Sequence, residues 1–202
     1  MPLWLADQPL VLASRSDVRG KMLAAAGRWF EIRPADVDER AIEAEAGSPD
    51  PVATAQLLAR AKASAVSRER PAQLVLGADQ TLARGSERFS KPADRAAAAD
   101  QLRRLRGSSH ELHSAIALVR GGEVLFEHAD SARLTMRDFG DNFIATYLDA
   151  AGTAASASVG GYQLEGIGVH LFERVEGDYF TILGLPLLPL LAYLRQNGWV
   201  AG

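Results

Sequence analysis

The chain contains no cysteine in its 202 residues, which excludes disulfides, thiolate nucleophiles and zinc-thiolate centres and fits a reducing compartment. It has no basic excess either: 22 Lys and Arg stand against 25 Asp and Glu, a formal net charge of -3. A general nucleic-acid or membrane-surface binder needs the opposite balance, so any basic cluster here is local and belongs to a site. The start, Met1-Pro2-Leu3-Trp4-Leu5-Ala6-Asp7, lacks the basic residues and apolar run of a secretory signal. No stretch reaches the ~18 apolar residues of a membrane span. A cytoplasmic location is expected, with neither a nucleic-acid polymer nor a membrane as partner. The glycines fall into neither a strand-GxGxxG-helix nor a GxxxxGK[ST] pattern, so a nucleotide would be held by another device. There is no internal repeat and no linker-like segment.

What is present is an ordinary globular composition, 48% hydrophobic and 23% charged, enough for a sizeable core. The chain is organised around residues 10–23. Leu10-Val11-Leu12 reads as an apolar strand, Ser16 as a helix N-cap, and Val18, Met22, Leu23 and Ala26 recur at helical spacing until Gly27. Arg15, Arg19 and Lys21 crowd the first turn. Cations there cost roughly 0.3–1 kcal/mol each against the helix dipole unless an anion binds between them, and a phosphate is the obvious candidate.

Further along, Trp29 to Ile32 reads as a short strand and Ala35-Asp36-Val37-Asp38-Glu39-Arg40 as an acidic loop. Asp50 and Pro51 open a helix through about Ser67, and Gln73 to Gly77 forms a buried strand that ends in Ala78-Asp79-Gln80-Thr81. A polar loop over Arg84 to Arg88 and a helix from Asp94 to Arg106 follow. A long hairpin then turns through Arg120-Gly121-Gly122-Glu123. Asp138 to Ala150 is helical, Ala151 to Val159 a small-residue loop, Val169 to Arg174 a strand, and Pro186 leads a last helix to about Asn197. Strand-helix units followed by hairpins predict an α/β fold with a mixed sheet, helices on its faces, and a cleft between two lobes.

Asp79 sits where a strand ends, the usual place for ligand-contacting groups in open α/β sheets; it either binds Mg²⁺ or deprotonates a water, or caps the next segment as a turn-initiating Asp. Asp36, Asp38 and Glu39 are hard oxygen donors for a divalent cation, or simply solvated. Lys62 and Lys91 are either phosphate partners or surface charges. Ser14 and Ser16 have no His/Asp partner nearby in sequence, so phosphate contact by hydroxyl and backbone N–H is their simpler role. His110 and His113, three apart in a strand, point to opposite faces and cannot chelate one ion. Tyr162, Gln163 and Glu165 stand among Gly160, Gly161 and Gly166, where backbone can approach a base and side chains can read its edge; an ordinary Gly-rich turn explains them equally.

In order, these pieces resemble the Maf family of nucleoside triphosphate pyrophosphatases over nearly the whole chain. The motifs are Leu12-Ala13-Ser14-Arg15-Ser16-Asp17-Val18-Arg19, Asp38-Glu39 and Leu58-Ala59-Arg60-Ala61-Lys62-Ala63. Gly77-Ala78-Asp79-Gln80, Lys91-Pro92, Glu176-Gly177-Asp178-Tyr179 and Gly184-Leu185-Pro186 complete the series. The resemblance implies one catalytic domain over residues 1–202 with a strongly twisted mixed sheet, like inosine triphosphatases. It implies hydrolysis between the α and β phosphates with a divalent cation (Mg, Mn or Co), and a homodimer. By the same resemblance Asp79 is the proton acceptor, the catalytic Lys62 and Lys91 hold the phosphates together with Ser14 and Arg19, Val18 is a further substrate contact, and Glu39 helps bind the metal.

Gln80 and Glu165 resemble the branch that acts on 7-methyl-GTP, whereas the dTTP/UTP branch has Thr and Gln there. A carboxylate accepts from the N1–H and N2–H₂ donors of guanine and attracts the charge that N7 methylation adds. At Asp17 and Val18 the chain departs from the family's Pro and its aromatic or Arg, and Lys21 replaces a Glu. The alternatives are a dTTP/UTP pyrophosphatase, or a nucleotide-binding regulator of septum formation.

Overall fold

The computed structural model describes residues 3–27, 29–47 and 50–202. In chain order its first elements are β1 (Leu10–Leu12), α1 (Asp17–Ala25), β2 (Phe30–Ile32), α2 (Glu39–Glu45), α3 (Pro51–Glu69), β3 (Val75–Arg84) and β4 (Glu87–Phe89). There follow α4 (Arg95–Leu105), β5 (Ser109–Arg120), β6 (Glu123–Met136), α5 (Asp141–Ala151), α6 (Ala154–Ala157), β7 (Phe172–Glu176), α7 (Tyr179–Ile182) and α8 (Leu187–Gln196). Two 3₁₀ segments, Val159–Gly161 and Ile167–Leu171, precede β7. The strands form a mixed sheet in the order β2-β1-β3-β5-β6-β7, with β4 paired to β3. This is the expected α/β class. Among the described residues no helix is long and apolar enough to cross a membrane.

Two compact units divide the chain. The first takes Met1–Gln80, Ser114–Asp130 and Gly184–Gly202. In it β1 runs parallel to β2, with Leu10 opposite Phe30, and to β3, with Val11 opposite Val75. Its core joins Val11, Ala13 and Val75 to Ala115, Ala117 and Val119 of β5 and to Ala55, Ala59, Ala63 and Val66 of α3. Alanines four apart share one helix face and let α3 lie very close to the sheet. Gly77 completes that contact, since a Cβ there would stand 2.0 Å from the Ala59 carbonyl oxygen and 2.9 Å from Ala63 Cβ.

The second unit takes Thr81–His113 and Ser131–Leu183. Here β4 pairs antiparallel with the far half of β3, Leu82 opposite Phe89, and β7 pairs antiparallel with β6, Arg133 opposite Glu176. Its own core gathers Leu82, Leu102, Leu105, Leu112, Leu134, Met136 and Ile144, among others, between strands and α4 and α5.

Several expected boundaries move. β3 does not stop at Gly77 but continues to Arg84, because that glycine serves the approach of α3 and the apolar residues resume with Ala78, Leu82 and Ala83. Asp79 therefore lies within a strand rather than at its end. The acidic loop becomes α2, capped by Asp38, whose side chain accepts from Ala41 N at 3.0 Å. Part of the polar loop over Arg84 to Arg88 pairs as β4. The small-residue loop contains α6, and the late strand begins at Phe172 because Ile167–Leu171 winds into a 3₁₀ segment.

Candidate active site

In the first unit, β1 delivers the chain to Ser14, and α1 begins at Asp17, directly after its cap Ser16. Ser16 Oγ accepts from Arg19 N at 3.4 Å, and Ser14 Oγ accepts from Ser16 N at 3.3 Å. Ser14 is buried, Val18 half-buried, and Arg15 and Lys21 are exposed. The expected crowding of the helix start is therefore relieved by solvent for two of its three cations.

The third cation turns inward. Arg19 is 9% exposed, and its Nε donates to Gly184 O at 2.7 Å while Nη1 donates to Ala78 O at 2.8 Å and to Ser14 Oγ at 3.1 Å. Burial lowers its pKa, with Asp79 and then Glu39 opposing.

One residue beyond Ala78, the Asp79 carboxylate is buried and receives a hydrogen bond from Lys62 Nζ at 2.5 Å. The same ammonium lies 2.7 Å from Glu39 Oε1. α3 supplies Lys62, β3 supplies Asp79 and the first residue of α2 supplies Glu39, so three elements converge on one charge cluster. Burial raises the Asp79 pKa, and the charges of Lys62 and Arg19 pull it back. A carboxylate made more basic by burial, yet held by a lysine, is equipped to take a proton. Gln80, the next residue, donates from Nε2 to Ser114 Oγ at 2.9 Å.

Glu39 is the expected cation ligand, and its side chain is 49% exposed. Asp38 is engaged as a cap, and among the described residues no three His, Cys, Asp or Glu side chains gather to hold a metal. This donor set fits a hard cation such as Mg²⁺, which takes one or two carboxylates and completes its shell with substrate phosphates and water.

The second unit carries the remaining expected residues. Lys91 is exposed between β4 and α4, and Glu165 is exposed in the segment between the two 3₁₀ turns. That segment is anchored from behind. The Tyr162 hydroxyl, in a side chain 4% exposed, lies 2.7 Å from His110 Nε2, and Tyr147 donates to Gly161 O at 3.2 Å. His110 and His113 do not meet over one ion: His113 Nδ1 instead lies 2.7 Å from Ser131 Oγ. Sequence reasoning missed two partners, Ser114 and Gly184. The Gly-Leu-Pro motif signalled the second; nothing local signalled the first.

Fold and site together define an α/β protein built around a buried carboxylate on a sheet strand, paired with a lysine from the helix packed on that strand, next to the start of the first helix. The chain belongs to the Maf family, whose model, described as Maf-like protein, matches residues 9–197. A nucleoside triphosphate pyrophosphatase of Rhodopseudomonas palustris (strain HaA2) is 57% identical over 201 residues, covering 100% of both chains. A 7-methyl-GTP pyrophosphatase of Rhizobium etli is 53% identical over 195 residues, covering 96% of this chain and 98% of that one. Among solved structures, a HAM1 protein from Coxiella burnetii matches with a TM-score of 0.40 and 15% identity, over 64% of this chain and 73% of its own.

Proposed function

We propose that the chain is a nucleoside triphosphate pyrophosphatase, the activity for which its relatives are named, and that 7-methyl-GTP is its substrate. The observation that carries the reaction is the buried Asp79 carboxylate, raised in basicity and fixed 2.5 Å from Lys62 Nζ. Asp79 takes a proton from a water, which adds to one phosphorus of the α-β anhydride. The bridging oxygen leaves with the other phosphoryl group, giving the monophosphate and pyrophosphate. Lys62, Lys91 and Ser14 hold phosphate oxygens, and the N–H groups that open α1 add their dipole. Position and charge neutralisation supply most of the acceleration.

A divalent cation (Mg, Mn or Co) is part of the proposal. Glu39 would hold it, and when bound it neutralises charge on the triphosphate. Gln80 and Glu165 support the guanine reading, as does the name of the Rhizobium etli relative. The dTTP/UTP reading keeps the same chemistry with a different base. A homodimer and a cytoplasmic location complete the expectation, the first testable by sedimentation.

The decisive experiment measures pyrophosphate release from 7-methyl-GTP, GTP, dTTP and UTP, with Mg²⁺, Mn²⁺, Co²⁺ or EDTA. The proposal requires the highest kcat/KM on 7-methyl-GTP and loss in EDTA. Nucleotide binding without release from any triphosphate would leave a nucleotide-binding regulator instead.

A further inference from the structure

Arg19 was expected to hold a phosphate, but its guanidinium is already engaged inside the protein. Nε and Nη1 satisfy three acceptors from three separate stretches of chain: the carbonyls of Ala78 and Gly184 and the hydroxyl of Ser14. These partners lie 59, 165 and 5 residues away in sequence. The guanidinium presents its N–H groups in a fixed planar fork, so bonds to several acceptors at once set their relative positions. Ala78 is the residue before Asp79, and a carbonyl held at 2.8 Å restricts the backbone from which the Asp79 side chain departs.

Gly184 is shaped for the same contact. Its φ is +92°, and a Cβ there would lie 3.3 Å from Arg19 Nη2 and 3.4 Å from Nε. Only glycine combines that backbone with room for the guanidinium at its carbonyl. The exposed cations of the helix start, Arg15 and Lys21, share none of this.

We propose that Arg19 is a positioning residue: by clamping Ser14, Ala78 and Gly184 it fixes the strand segment that presents Asp79, and it does not act as a phosphate ligand. The positioning role rests on the reading of Asp79 as the proton acceptor. The clamp itself does not.

Two substitutions break the clamp from opposite ends. Arg19→Lys keeps the charge and removes the fork; Gly184→Ala keeps the arginine and intrudes on it. Each is expected to lower kcat by about tenfold or more, while KM and the Kd for a non-hydrolysable triphosphate analogue stay within about threefold of wild type. The double variant should lose no more than the worse single one, because both remove one shared contact. Hydrogen exchange reads the clamp without turnover: in Arg19→Lys, protection should fall at residues 78–80 and 184–185 and hold elsewhere. A rise of about tenfold in KM and Kd with kcat intact would make Arg19 a phosphate ligand and overturn the proposal. So would unchanged exchange at both segments. If Gly184→Ala does not fold, the exchange pattern of Arg19→Lys decides. Wild type that releases no pyrophosphate from any triphosphate overturns the enzymatic reading, and the clamp is then judged on exchange alone.

Discussion

Lys62 Nζ lies 2.5 Å from Asp79 Oδ1, an ion pair whose side chains are 13% and 11% exposed. A buried carboxylate tied to an ammonium at this distance is held in one orientation. Asp79→Asn keeps the shape of the side chain and removes the basic oxygen. Lys62 retains Glu39, so the fold should persist. Turnover should fall by about 10²–10⁴, the usual share of a general base, with KM little changed. Pyrophosphate release and far-UV circular dichroism check both halves; wild-type kcat in the variant would remove Asp79 from the chemistry.

The same burial predicts a stability difference. Asp79 binds its proton more tightly folded than unfolded, because burial raises its pKa beyond what Lys62 and Arg19 recover. Its favourable contribution is therefore present at acid pH and lost as pH rises through the folded value, so at pH 7 the ionised carboxylate lowers stability. Asp79→Asn should melt above wild type at pH 7, and the gap should close below about pH 4, the ordinary aspartate value. A variant that melts lower at pH 7 and equal at acid pH would reverse the sign. Loss of activity with a gain in stability is the pattern of a site kept at a cost to the fold.

His110 gives the opposite pH dependence. The ring is 1% exposed, its Nδ1 has no hydrogen-bond partner among the described residues, and burial lowers its pKa from 6.5 to about 4. The unfolded chain takes up the proton first. Stability is complete above pH 6.5 and falls as pH drops towards 4. The loss amounts to about 3 kcal/mol at about 1.4 kcal/mol per pH unit. His110→Gln, which can still meet the Tyr162 hydroxyl, should flatten this slope in melts taken from pH 8 to 4.

Gly77 carries a packing prediction. Its Cβ would collide with the Ala59 carbonyl at 2.0 Å and the Ala63 nitrogen at 2.7 Å, both backbone atoms that cannot turn aside. Gly77→Ala must push α3 off β3 and open the small-residue core. A loss of about 1–3 kcal/mol or more in urea unfolding is expected, as for other overpacked cores. Stability within about 0.5 kcal/mol of wild type would mean that α3 shifts freely.

The same glycine shows where the sequence was legible and where it was not. β1, α1 and α3 announced themselves through local signals: an apolar run, Ser16 as a cap, Asp50 and Pro51 opening a helix. Gly77 closes the apolar run that marks the strand in sequence, whereas the reason for the glycine lies on a helix some fifteen residues earlier. α2 escaped notice because it buries none of its residues and leaves no periodic trace; the Asp38 cap alone marked it. In the site, Asp79 stood out by position, but Lys62 looked like any surface lysine until folding set it between two carboxylates. Arg19 read as a phosphate cation because its nearest neighbours in sequence are cations, whereas two of its three acceptors lie 59 and 165 residues away.

Glu165 tests the base. It is exposed in a segment whose neighbours are fixed: Tyr162 by His110, and the Gly161 carbonyl by Tyr147. A carboxylate on so anchored a stretch can offer two acceptor oxygens to the N1–H and N2–H₂ edge of guanine, and its charge favours a purine made cationic at N7. Thymine and uracil present one donor between two acceptors, and gain nothing from it. Glu165→Gln keeps the size, replaces one acceptor by a donor and removes the charge. On 7-methyl-GTP, kcat/KM should fall by about tenfold or more, on GTP by less, and on dTTP and UTP it should hold or rise. Equal losses on all four nucleotides would detach Glu165 from base recognition and leave Gln80, whose Nε2 donates to Ser114 Oγ at 2.9 Å, as the residue to test next.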